Sequence, residues 1–73
     1  MDGRMEREHL AEADRHIAEA ERRITKQDAV CQRQEASGAD ASEAKRLLAL
    51  FRDTLRLLRE HRELILQRMS DRA

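Results

Sequence analysis

Gly38 is the one glycine inside a 73-residue chain without proline, the only other being Gly3 near its start. Glycine takes the left-handed conformation that ends a helix at no steric cost. Asp40, two positions on, has Glu43 three residues beyond it, the spacing of a capping box that opens the next helix. The chain is therefore expected to be a single domain over 1–73 made of two helices, one over about 4–36 and one over about 41–70, joined by a turn at 37–40. Each helix would be about 45–50 Å long at 1.5 Å per residue. Matched lengths and a connection of about four residues favour antiparallel neighbours.

Each stretch carries its own heptad. In the first, Leu10, Ile17, Ile24 and Cys31 share one column and Ala13, Ala20, Gln27 and Gln34 the other; in the second the columns are Leu48, Leu55, Arg62 and Met69, and Ala44, Phe51, Leu58 and Ile65. Folding the chain back at Gly38 sets Ile24 against Phe51, Ile17 against Leu58, and Leu10 against Ile65, residue numbers that add to 75 in every layer. Alternation of large residues with alanine lets the helices approach closely, and the glutamines near the turn weaken the seam while fixing its register. The intrachain seam is thus Leu10, Ile17, Ile24, Cys31, Leu48, Phe51, Leu55, Leu58 and Ile65.

Composition decides whether such a pattern folds or stays solvated. Charged residues make up 41% of the chain and Phe51 is its one aromatic, a balance compatible with a disordered tail. The charges are of mixed sign, however, and the aliphatics are periodic, which with abundant Ala, Leu, Glu and Arg is the signature of a long-helix or coiled-coil protein. A chain this short buries only about 60% of its unfolded surface on its own, so stability is expected to come from association. Cys31 is the single cysteine and excludes an intrachain disulfide. With no basic-then-apolar leader and no apolar run longer than Leu47–Phe51, the reading is a cytoplasmic protein in a reducing compartment, without membrane contact.

The two flanks of the seam differ. One is charged: Asp14, Glu21, Asp28 and Glu35 follow one column of the first helix, and Lys45, Arg52 and Arg59 occupy the equivalent column of the second. Direct opposition would face Asp28 with Lys45, Glu21 with Arg52, and Asp14 with Arg59, closing that side of the hairpin. Arg62, on an inner column opposite Ala13, is expected to reach outward toward Glu12 or Asp14. The other flank is apolar. Leu47, Leu50, Leu57 and Leu64 widen the hydrophobic arc of the second helix to roughly 200°, against the ~100° stripe of an ordinary surface helix. One antiparallel helix cannot cover that arc, so two hairpins are expected to pack through Leu47, Leu50, Leu57, His61 and Leu64 as a homodimeric four-helix bundle.

Little in the sequence points to catalysis. His16 and His61 take facing positions on the apolar flank, with Glu12 one turn before His16; the reading adopted is packing with a wet tip rather than metal ligation. Glu6 and His9 have the Glu-x-x-His spacing of di-iron bundles, but the facing level of the second helix offers Ile65 and Met69 in place of carboxylates. Cys31 has no activating neighbour. There is no Ser/His/Asp arrangement, phosphate loop or CxxC, and two straight helices form no deep pocket. Neither an enzyme nor a bound cofactor or metal is expected. Thirteen of the 15 basic residues are arginine, yet the net charge is zero, with 8 basic and 6 acidic residues over 37–73. That balance argues against nucleic acid as a partner, leaving as the alternative a dimer that assembles arginines from two chains into one basic patch.

The segment Leu10-Ala11-Glu12-Ala13-Asp14-Arg15-His16-Ile17-Ala18-Glu19, then Gln27, and after the turn Gly38-x-Asp40-x-x-x-Ala44-x-x-Leu47-Leu48-x-x-Phe51 resembles a group of small helical-hairpin proteins of rhizobia and related bacteria. The resemblance extends over about residues 10–58. It implies a bacterial, cytoplasmic hairpin and brings no activity with it. The expectation is accordingly a self-associating structural or protein-interaction module, its partner a second copy of itself or another protein.

Overall fold

The computed structural model describes residues 3–71; positions 1, 2, 72 and 73 of the expected domain lie outside the described residues. The chain is a hairpin of two helices, α1 (Arg4–Ala36) and α2 (Ser42–Asp71), packed against each other. It measures 58 × 14 × 12 Å. No helix is long and apolar enough to cross a membrane, among the described residues.

The turn follows from hydrogen-bond accounting at the end of α1. Gly38 has φ 76°, and its N–H donates to Glu35 O at 3.2 Å while the N–H of Ala39 donates to Gln34 O at 2.9 Å. These two bonds form a Schellman motif, which satisfies carbonyls that the helix end would otherwise leave without partners. Ser37 adds a third, its hydroxyl donating to the carbonyl of Gln34.

The start of α2 differs from the expected capping box. Asp40 Oδ1 accepts from the backbone N–H of Ser42 at 2.9 Å and from its hydroxyl at 2.6 Å, an Asx turn rather than a bond to Glu43. Lys45 N–H closes the first helical turn on Ala41 O, so Ala41 is the capping position and Asp40 lies one residue outside it. Glu43 turns to Arg46 instead. The two Ser42 bonds, the hydroxyl's the larger influence, hold the Asp40 carboxyl below its ordinary range.

The interior is one layer thick. Its buried members are Ala13, Ala20, Cys31, Ala41, Ala44, Leu48, Leu55 and Ile65, and half of them are alanine, which lets the helices close on each other. Leu10, Ile17, Ile24, Phe51 and Leu58 are half-buried, since a two-helix layer has nothing to place over their outer edges. No large side chain among the described residues is wholly shielded from solvent. Near the turn Cys31, Ala44 and Leu48 form one buried cluster, with Ile24 and Val30 packed on it. Gln27 spans the seam beside that cluster, its Nε2 donating to Ala44 O at 3.0 Å. The geometry fits the register: a helical carbonyl points toward its own C-terminus, so Ala44 O points away from the turn, in the direction of the level of Gln27.

Candidate interaction surface

Every ion pair between the helices falls on one flank, among the described residues. Lys45 Nζ lies 3.2 Å from Glu35, Arg59 3.2 Å from Glu21, and Arg62 Nε 2.6 Å from Asp14 Oδ1. Acidic and basic columns do meet, but each of the first two bases pairs with the acid one heptad nearer the turn than direct opposition would give. The pairs Asp28 with Lys45, Glu21 with Arg52, and Asp14 with Arg59 are not formed. The cause is the tilt of Cα–Cβ bonds toward a helix's own N-terminus. Side chains of α1 lean away from the turn and those of α2 lean toward it, so long side chains meet only when the acid starts closer to the turn than the base. Asp28 instead accepts from Gln32 at 2.9 Å. The paired side chains remain about one third to three fifths exposed, so each contributes about 0.2–1 kcal/mol at most.

A shallow groove on this flank is lined by Arg52, Arg56, Arg59 and Arg62 together with Asp14, Glu60 and Glu63. Arg56 pairs with Glu60 along α2, while Arg59 and Arg62 are bound to acids of α1. Three of the four arginines in the groove are thus paired with neighbouring carboxylates.

The opposite flank carries no ion pair between the helices, among the described residues. Leu47 is 41% exposed, Leu50 59%, Leu57 56% and Leu64 59%, and His61 is exposed beside them. Val30 of α1 lines the same face with Leu47 and Leu50. Met5, 66% exposed, belongs to the outer column of α1 that continues through Glu12, Glu19, Lys26 and Arg33. Sequence reasoning passed over both Val30 and Met5. Extending the apolar-flank columns across α1, as was done for α2, would have found them.

Toward the open end of the hairpin, His9, Glu12, His16 and His61 line one small groove over Ala13. It gathers the facing histidines, yet among the described residues no three His, Cys, Asp or Glu side chains stand close enough to hold a metal ion. Cys31, 3% exposed, is enclosed in the seam. Gln34 keeps its side-chain oxygen buried without a hydrogen-bond partner, at the turn end of the leucine face.

An antiparallel helical hairpin with one charged flank and one apolar flank is the class of molecule these features define. Compared with known proteins, the chain matches no family model, no curated protein and no solved structure.

Proposed function

We propose that the chain is a self-associating structural and protein-interaction module, in which two hairpins join through the apolar flank as a four-helix bundle. The observation that carries the reading is the row Leu47, Leu50, Leu57 and Leu64, each about half exposed on a face the chain cannot cover by itself. Contiguous apolar surface of this kind marks an interaction site on soluble proteins. Covering the exposed half of a leucine contributes about 1 kcal/mol, hence on the order of 8 kcal/mol for the eight leucines of a symmetric pair. Association costs about 4–15 kcal/mol in lost rigid-body freedom, so the leucines bring a dimer near balance and the remaining contacts of the face decide its strength.

Light scattering after size exclusion at micromolar concentration tests the reading. The expected mass is twice the 8.5 kDa of one chain, and Leu50→Glu with Leu57→Glu returns it to one. A wild-type chain that runs at 8.5 kDa up to about 100 μM rejects it.

A further inference from the structure

The outer column of α1 on the apolar flank reads Glu12, Glu19, Lys26 and Arg33: two acids in the half away from the turn, two bases in the half near it. All four are exposed, and none takes part in an ion pair within the chain, among the described residues. A column whose sign reverses at its middle is complementary to itself when turned end over end.

From this we infer that the second copy binds antiparallel, by a two-fold axis perpendicular to the helices, with the two turns at opposite ends of the bundle. The inference rests on the self-association proposed above and adds its geometry. The axis brings α1 beside α1 of the second copy, so that Glu19 meets Lys26 of that copy and Glu12 meets its Arg33. It also brings α2 beside α2, with Leu50 and Leu57 of each copy meeting at the centre.

Two separate columns specify the same axis. The midpoint of Glu19 and Lys26 falls at residues 22–23, and in the register that puts Cys31 beside Ala44 the level across the hairpin is residues 52–53. Setting Leu50 beside Leu57 of the second copy, and Leu57 beside its Leu50, needs an axis at residues 53–54. The two requirements differ by one residue, about 1.5 Å along a helix.

The competing arrangement, with both turns at one end, fails on chemistry. There α1 lies beside α2 of the second copy, and the column Glu12, Glu19, Lys26 and Arg33 would press against Leu50, Leu57 and Leu64. Charges would be desolvated without partners, and the leucines would be only partly covered.

The test is a distance between turns. Ala39→Cys in a Cys31→Ala background places one spin label on each turn. An antiparallel dimer gives a label separation of about 45–50 Å from helix lengths, whereas turns at one end give under about 25 Å. A second measurement uses charge reversal. Glu12→Lys with Glu19→Lys makes the column uniformly basic and is expected to raise the dimer Kd at least tenfold at low salt. Adding Lys26→Glu and Arg33→Glu restores the complementarity in reversed order and returns Kd to within about threefold. A short label distance, or a Kd that the fourfold reversal does not restore, overturns the antiparallel geometry and leaves self-association standing. A chain that is monomeric before any substitution overturns the function from which the geometry was built.

Discussion

The side-chain amide of Gln27 donates to the backbone carbonyl of Ala44 across 3.0 Å, the one hydrogen bond between α1 and α2 other than those made by charged side chains, among the described residues. A polar residue on an inner column gains this bond only when the helices are in register, and it loses packing for doing so. Gln27→Leu is expected to raise thermal stability by about 1 kcal/mol while broadening the distribution of oligomers. Thermal unfolding followed by circular dichroism, together with sedimentation velocity, reads both effects. A lower midpoint would show that the Gln27 bond outweighs a buried leucine.

Gly38 separates backbone strain from crowding. Its φ is 76°, yet a β-carbon built there would meet nothing within 4 Å. Gly38→Ala is therefore expected to cost about 1–2 kcal/mol through the left-handed conformation alone, lowering the unfolding midpoint by roughly 4–8 °C for each kcal/mol. Gly38→Asn, which tolerates that conformation better, should fall between the two. Equal midpoints for glycine and alanine would mean that the turn can be made another way.

Asp40 sets a pH dependence whose sign follows from its bonds to Ser42. Its folded pKa is depressed, so its contribution is present above the unfolded carboxylate value, about 3.9, and is lost as pH falls through the folded value. Asp40→Ala should lower the melting temperature at pH 7, and the gap to the parent should narrow as pH falls below the ordinary carboxylate range and the Asp40 carboxyl takes up its proton. Melting curves across that range decide it; a gap that persists in acid would assign the effect to something other than the carboxylate.

Cys31 is 3% exposed between Ala44 and Leu48, so its thiol can react only when the seam opens. Labelling by an aromatic disulfide under native conditions should be slow and should accelerate with urea in step with unfolding. Labelling at the rate of a free peptide thiol would contradict the burial.

Two helices folded on each other were legible because one glycine interrupts two heptads and nothing else in the chain competes with helix. The ion pairs were legible as columns but not as partners. Column membership follows from spacing in the sequence, while the partner of Lys45 or Arg59 depends on the direction in which side chains lean, a three-dimensional property with opposite effect on two antiparallel helices. The spacing around Asp40 points to a cap because spacing alone cannot distinguish a side chain that reaches three residues ahead from one that stops at Ser42. On the apolar flank the leucines of α2 stood out by their number. Val30 and Met5, one apolar residue each among the charges of α1, did not.

A body 58 Å long and 14 by 12 Å across has no centre. Each layer of the seam touches only the layers before and after it, so the hairpin behaves as a zipper whose closed end is the turn. Damage at one layer is expected to stay local, and opening to begin at the free ends near Leu10 and Ile65 and travel toward Gly38. The stretch around Cys31, Ala44 and Leu48 should be the last to part, and hydrogen exchange should rank the backbone in that order, slowest beside the turn.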